Sequence, residues 1–401
     1  MPSIDADILI AGAGCAGLSL ACALVRSASH RRRMIVVDPR TDFPRDRTWC
    51  FWDIENLPAL NLATYRWPQW RVTTPHGETT RGGTYRYCFL PSDRFYDQAL
   101  ALLKKHPEVH LALGRSVTEL LDESDHAAAV LDNGEIIRAR AAFDSRPRLP
   151  AAPPGPADTD WRQHFAGLTI STREAVFDPR TALLMDFRTR QDHGLHFIYL
   201  LPFSVTEALV ESTVFSSEIL PDEFYEDAVR TYLAEHVGVH DFAVSHRERG
   251  VLPMTTLPFD PDPSPRVRRI GIAGGAAKPS SGYAFLAIQR QAAAWAKALA
   301  EWDEAAPPPA SPPARPLPTR WQDRVFLAEM ARAPEAAPEL FRRLFERAPA
   351  DALCRFLSEA PHPLDHLRVM RSVPLARFLL QGGKQAGAMA RPRPESPVPE
   401  R

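Results

Sequence analysis

Two groups of residues in this 401-residue chain have the types and spacing to do chemistry. The first is Gly12, Gly14 and Gly17, spaced G-x-G-x-x-G, after the apolar run Ile8 to Ala11 and before small and apolar residues at helical period up to Val25. In such an arrangement the first glycine permits a tight turn, the second lets backbone approach a pyrophosphate, and the third lets the helix sit close to the strand. The phosphates lie on the helix N-terminus, where unpaired N–H groups and the dipole favour negative charge. A second strand, Met34 to Val37, ends in Asp38, the acid expected to hold a ribose hydroxyl. Strand, helix, strand and terminal acid in that order predict a bound dinucleotide; the alternative is a Rossmann-like fold without its ligand.

The second group centres on Glu211. Along Ala208 to Phe215, alternation puts Leu209, Glu211, Thr213 and Phe215 on one face and Ala208, Val210, Ser212 and Val214 on the other. Glutamate is poorly suited to strands and is almost never fully buried without a partner. Glu211 is therefore either a functional acid or a glutamate that faces water at an edge or pairs with a distant arginine.

Two further stretches bear on the same chemistry. Arg266 to Gly275 reads as a strand meeting a glycine turn at Gly274 and Gly275, followed by Lys278-Pro-Ser-Ser-Gly282-Tyr283-Ala-Phe285 and a helix from Leu286 to Glu301. A glycine turn feeding a helix N-terminus suits the pyrophosphate and ribityl end of a flavin, although it also serves as a plain strand-to-helix connection. Phe43 to Trp52 runs charged residues (Arg45, Asp46, Arg47) into three aromatics. No core strand carries those charges together, so the segment is expected to be a loop crossing between the cofactor and an apolar chamber, or one pinned to the surface by Trp49 and Trp52.

The elements that must position these residues follow from periodicity. Ser92 to Lys105 reads as an N-capped helix with acids early and lysines late, and Val109 to Leu113 as a strand. Ala127 to Leu131 and Ile136 to Ala142 flank the turn Asp132-Asn133-Gly134, a hairpin signal, and lead to Asp144, where a strand exits beside the nucleotide. From about 161 to 256 strands alternate without crossover helices, including Ala182 to Arg188 with Asp186 near its end and His196 to Leu201. That is the pattern of a largely antiparallel second sheet. The series up to Asp144 resembles the architecture of FAD-dependent enzymes, so the fold class expected is α/β: a Rossmann-type FAD-binding domain with an inserted antiparallel substrate sheet and C-terminal helices. The parts are 1–160 and 257–303 for the FAD-binding domain, 161–256 for the substrate sheet, 304–319 for a proline-rich linker, 320–384 for the helices and 385–401 for a disordered tail. Within the helices, Leu340, Phe341, Leu344 and Phe345 oppose Arg342, Arg343 and Arg347, a face that packs on the protein or lies on a bilayer.

Bulk properties exclude other classes. A formal charge of −1 does not recommend a nucleic-acid partner. Five cysteines (15, 22, 50, 88 and 354), odd in number and without metal spacing, fit a reducing cytosol and no metal site. Ile8 to Val25 is uncharged, but its glycines sit where a phosphate loop needs them and Asp5 and Asp7 replace the basic start of a signal sequence. Neither a signal peptide nor a transmembrane helix is expected.

Several stretches together (GAGCAG, DRTWCFW, LLMDFR, ALVESTVFS, ERGVLPM, AGGAAKPSSGYAF and FLSEAPHPLDHLRVMRSVPLARFL) resemble the bacterial lycopene cyclases, flavoproteins related to the plant chloroplast cyclases. The resemblance implies conversion of the open ψ ends of lycopene into β rings, through γ-carotene to β-carotene, with reduced FAD required, NADPH as electron source and no net redox change. It also implies a protein lodged peripherally at the inner, cytoplasmic face of the membrane that holds its insoluble substrate. Protonating an alkene demands a carboxylic acid that keeps its proton at neutral pH, and a dry chamber with a negative or π-rich wall for the carbocation.

On that resemblance Glu211 is the general acid, with serine at Ser212 where many relatives carry a second acid. The proton acceptor is Glu211 itself, the flavin or Asp186. Glu248, ahead of Gly250-Val-Leu-Pro253, matches a second acidic motif. Asp46 and Arg47 order their loop against the flavin, Arg47 and Thr48 count among the cofactor-binding residues, and no aspartate follows Gly274-Gly275, so backbone around Gly282 and Tyr283 takes more of the ribityl binding. Trp49, Phe51, Trp52, Phe197, Tyr199, Tyr283 and Phe285 are expected to line the polyene tunnel or to pack as core. The rival functions are an FAD-dependent hydroxylase or prenyl reductase, and a carrier of a prenylated ligand that keeps the fold without chemistry.

Overall fold

The computed structural model describes residues 3–27, 32–150, 153–313 and 315–389. In chain order the first half runs β1 (Ala6–Ala11), α1 (Cys15–Arg26), β2 (Met34–Asp38), β3 (Thr48–Trp52), β4 (Tyr65–Thr74), β5 (Gly77–Pro91), α2 (Ser92–Leu103), β6 (Val109–Leu113), β7 (Val117–Asp122), β8 (Ala127–Leu131) and β9 (Ile136–Asp144). The second half adds β10 (Asp160–Ser171), β11 (Thr181–Asp186), β12 (Leu195–Pro202), β13 (Glu207–Ser216), α3 (Asp222–Tyr232), β14 (Ala243–Thr255), β15 (Val267–Arg269) and α4 (Phe285–Ala300). Among the described residues five helices follow: α5 (Leu317–Arg332), α6 (Ala337–Arg347), α7 (Ala350–Leu357), α8 (Pro363–Met370) and α9 (Leu375–Met389).

The strands form two sheets. A seven-stranded sheet has the order β6-β2-β1-β9-β8-β7, with β15 beside β9. Its centre is parallel (β6, β2, β1, β9, β15), and β7 and β8 join β9 antiparallel through the turn at Gly134, whose φ is 83°. The central strands read as continuous apolar runs because both faces are covered; α1 and α4 pack together on one of them. Gly17 makes the fit possible, since a Cβ there would collide with the Gly12 carbonyl oxygen.

The second sheet has eight strands in the order β14-β10-β13-β12-β11-β4-β5-β3, antiparallel except where β11 meets β4. Strands β3 to β5 thus belong to it, although they lie in the expected first block 1–160. Long-range pairing overrode chain position: β4 and β5 carry the aromatics Trp67, Trp70, Tyr87 and Phe89, which find their core with α5, α6 and α7. Leu340, Phe341, Leu344 and Phe345 of α6 are buried in that same core, so this face is taken up by the sheet and is not available to a bilayer.

Two local readings change. The Ser92 hydroxyl does not cap α2; it accepts the backbone N–H groups of Asp46 and Arg47 at 3.1 Å each and donates to Asp46 Oδ1, pinning the loop ahead of β3. The proline stretch is held by Arg268, which donates to the carbonyls of Pro308 and Pro309. Helix α9 continues to Met389, into the stretch expected as tail, and 390–401 lie outside the described residues.

Candidate active site

A cavity of about 1130 Å³ runs between the two sheets and the C-terminal helices. Gly12, Gly14 and Asp38 line one end; Arg47, Thr48, Gly282 and Tyr283 border its middle; Glu211, Glu248 and a set of aromatics form the far wall. The first end suits a dinucleotide. Helix α1 starts with no side-chain cap, leaving its first N–H groups without intrahelical partners, and a Cβ on Gly14 would meet nothing within 4 Å. Asp38 accepts the Ala13 N–H at 2.6 Å and is clamped by Arg40. Burial works to raise its pKa, but the hydrogen bonds from Arg40 and the backbone outweigh it and hold the carboxyl below its usual range. Nearer the middle, the buried Gln163 Oε1 and Ser281 Oγ stand at the wall without a protein partner, beside Gly282 in a left-handed turn at φ 70°. Open cradle, uncapped helix and unpartnered polar atoms together fit a nucleotide with a polar ribityl chain.

The other expected cofactor residues act from behind. Gly274 packs on the Arg269 carbonyl, and Gly275 gives its carbonyl to Arg315 Nη1 at 2.6 Å. Asp144 does not reach the cavity; it holds Arg146, which does, through paired hydrogen bonds of 2.8 and 2.9 Å.

At the far wall four positions stand in one row across the second sheet. Gly167 of β10 lies opposite Glu248 of β14 on one side and Glu211 of β13 on the other, and Glu211 lies opposite Tyr199 of β12. Because directly paired residues share a face, both carboxyl groups point the same way, separated by a residue with no side chain. Burial pushes the Glu211 carboxyl well above the ordinary glutamate range, with the neighbouring Glu248 raising it further, against a hydrogen bond donated by Thr213 at 2.9 Å. Burial also raises Glu248, but Thr48 donates to it at 2.6 Å and the charges of Arg45 and Arg47 pull its pKa back down. The pair is thus asymmetric: the proton favours Glu211, and Glu248 is the better carboxylate.

Gly167 is not prominent in the sequence. A Cβ there would stand 3.3 Å from Glu248 Cγ, 3.4 Å from Glu211 Cβ and 3.1 Å from Leu209 Cδ1. Gly167→Ala is expected to leave the melting temperature almost unchanged, strand propensity offsetting the crowding, while displacing both carboxyl groups and lowering kcat about tenfold. Thermal melting and turnover on one preparation check this.

Trp49, Phe197, Tyr199, Tyr283 and Phe285 line the cavity; Phe51 and Trp52 do not. Phe51 stacks behind Phe285 at 4.8 Å between centroids, and Trp52 is core, packed on Trp70 and Tyr87. Tyr87, singled out by no motif, joins the hydroxyls of Tyr199 (2.9 Å) and Tyr283 (3.0 Å).

Asp186 is a correction. Its strand partner is Ile198, one position away from the register of Tyr199, so it faces the opposite side of the sheet. There it is fully buried, with Arg188 Nη2 at 2.6 Å and the Tyr232 hydroxyl donating at 2.7 Å, too committed and misplaced to act with Glu211. Ser212 also faces that side, hydrogen-bonded to His196 Nε2 at 2.9 Å.

The cofactor turn is braced by the C-terminal helices. Lys278 Nζ donates to Asp323 Oδ1 of α5 at 2.6 Å, Ser280 donates to the same oxygen, and Arg315 joins the Gly275 and Ala276 carbonyls to Glu359. These partners are 39 to 45 positions apart in the sequence, and nothing local pairs them.

The fold is that of the flavoproteins. A flavoprotein/dehydrogenase from Cytophaga hutchinsonii superposes with a TM-score of 0.60 at 12% identity, covering 94% of this chain and 99% of the other. A geranylgeranyl bacteriochlorophyll reductase-like protein from Thermoplasma acidophilum gives 0.58 at 14% identity, with 95% and 96% covered. Within that class the sequence is more specific. The family described as lycopene cyclase protein matches residues 7–380, and a lycopene beta-cyclase of Paracoccus sp. (strain N81106 / MBIC 01143) is 30% identical over 70% of each chain. The chain belongs to the lycopene cyclase family.

Proposed function

We propose that this enzyme cyclises the ψ ends of lycopene to β rings, by way of γ-carotene to β-carotene, through acid–base chemistry at Glu211 and Glu248. The observation that carries the reading is the row Glu248–Gly167–Glu211–Tyr199, which sets a protonated carboxyl and a more ionised one side by side in an aromatic chamber. Glu211 delivers its proton to C2 of the ψ end, leaving a tertiary cation at C1. The C5–C6 double bond closes on C1, moving the charge to C5, and loss of the C6 proton restores a double bond in the ring. Glu248, held by Thr48, is the group we assign to take that proton. One proton enters and one leaves, so the product has the mass of the substrate.

The ring faces of Trp49, Phe197, Tyr199 and Phe285 supply π-density and exclude water from the cation. Gly12, Gly14, Asp38, Arg47, Gly282 and Tyr283 are the residues that would hold FAD; in its reduced form, with NADPH as electron source, it would supply an electron-rich wall beside the developing charge. A water-insoluble substrate favours a peripheral seat for the enzyme at the inner face of the membrane.

The test is anaerobic turnover of lycopene in liposomes with purified protein, FAD and dithionite. Cyclic products of unchanged mass, formed many times over per flavin, are expected. Intact lycopene there, together with NADPH and oxygen consumption on another substrate in a separate aerobic assay, would establish an oxygenase or reductase instead.

A further inference from the structure

Among the described residues no helix is long and apolar enough to cross a membrane, yet the exposed apolar side chains are not evenly spread. Of the twelve large ones, six belong to α5, α8 and α9: Leu317, Trp321, Leu364, Leu367, Leu379 and Leu380. The others are scattered over β4, β9, β14 and three loops. The three helices adjoin one another. A Cβ on Gly382 of α9 would lie 2.7 Å from the Trp321 ring of α5, and His366 of α8 is hydrogen-bonded to Gln322 of α5 at 3.1 Å. Exposed apolar side chains gathered on adjoining helices in this way mark an interaction site.

Two features say what covers it. The cavity reaches the surface here, because Trp321 and Leu379 line it and are themselves 37% and 61% exposed. The rim is basic: Arg320, Arg368, Arg371, Arg377 and Lys384 are all exposed, while Asp365, the one acid between Pro361 and Gln385, is buried beneath Arg355. Such a rim attracts anionic headgroups and repels a second copy of itself.

We propose that α5, α8 and α9 seat the enzyme on an anionic lipid bilayer, with the leucines in the acyl boundary and the chamber mouth opening directly into the lipid. The proposal names the docking surface for the apolar substrate assigned above and rests on that reading. A polyene would pass from acyl chains to aromatic wall without crossing water.

Flotation of the flavin-loaded enzyme with phosphatidylcholine vesicles, with and without phosphatidylglycerol, tests it. Binding is expected to require the anionic lipid and to weaken with salt. The double variant Leu367→Glu/Leu380→Glu touches no cavity wall and should lower vesicle affinity about a hundredfold or more, the loss expected for withdrawing two leucines from an apolar phase. Arg371→Gln and Lys384→Gln should each lower it about fivefold. Flavin content and turnover of detergent-dispersed lycopene should stay at wild-type level in all of them. The proposal is overturned if the double variant floats like wild type, if wild type ignores the vesicles, or if light scattering finds a dimer that the double variant dissolves. Vesicle binding that follows the patch in an enzyme inactive on detergent-dispersed lycopene would instead refute the cyclase reading and leave the docking surface standing.

Discussion

Glu211→Gln is expected to lower cyclic product by about 10²- to 10⁴-fold, the usual contribution of a positioned general acid. Glutamine keeps the shape and the Thr213 contact but has no proton to give an alkene. Bound flavin should be unchanged in amount, because the residues that would anchor its nucleotide end, Gly12 and Asp38, lie at the ends of β1 and β2 of the first sheet, whereas Glu211 belongs to the second. The same substitution has a signature in stability. Burial favours the neutral form of Glu211 in the folded protein, so its pKa is raised on folding. The stability linked to that neutral form is complete below the ordinary glutamate range and is lost as pH rises toward the raised value. Glu211→Gln does not ionise, so its melting temperature should gain on wild type as pH increases. Wild-type activity should fall over the same alkaline limb, as the acid loses its proton before substrate arrives. Melting curves and product formation across pH check both.

The second large effect is expected at Asp323→Ala. Lys278 and Asp323 are both almost fully buried, and their 2.6 Å contact joins the cofactor turn to α5. Removing one partner of a buried pair strands the other charge and typically costs about 3–5 kcal/mol. Glu359, 4.0 Å from Lys278, can take over only part of the interaction. Because the Lys278 N–H and Gly282 N–H both belong to hydrogen bonds that close the turn, the loss should appear as weaker flavin binding as well as earlier unfolding. Flavin fluorescence titration and chemical denaturation, with Glu211→Gln as the control that keeps flavin, separate this from a loss of catalysis.

What could be read from the chain follows the range of the forces involved. The phosphate loop is a local device, and its glycines, first helix and Asp38 lie together in the sequence as in the structure. The two-residue period of a strand was enough to place Glu211 and Phe215 on a common face and Ser212 on the other. The side that Asp186 faces depends on the irregular pairing of β11 with β12, which alternation along one strand does not fix. The neighbourhood of Glu211 and Glu248 rests on β10 running between β13 and β14, a pairing between segments dozens of residues apart, and Gly167 acquires its meaning only there. Aromatics behaved likewise: Trp49 and Trp52 are alike in the sequence, but one lines the chamber and the other fills the core. The α6 face was visible as amphipathic, and only the sheet beneath it decided between protein and lipid.

The bracing of the cofactor turn by Arg315, Asp323 and Glu359 also governs the order in which the molecule can be made. The nucleotide cradle is synthesised first, at Gly12 and Gly14, but the cavity is completed by residues as late as Leu379. A chain still emerging from the ribosome has the loop without the walls that retain a ligand. Cofactor capture therefore belongs to the end of biogenesis, and a protein shortened ahead of α5 would be left as an open cleft instead of a smaller working enzyme.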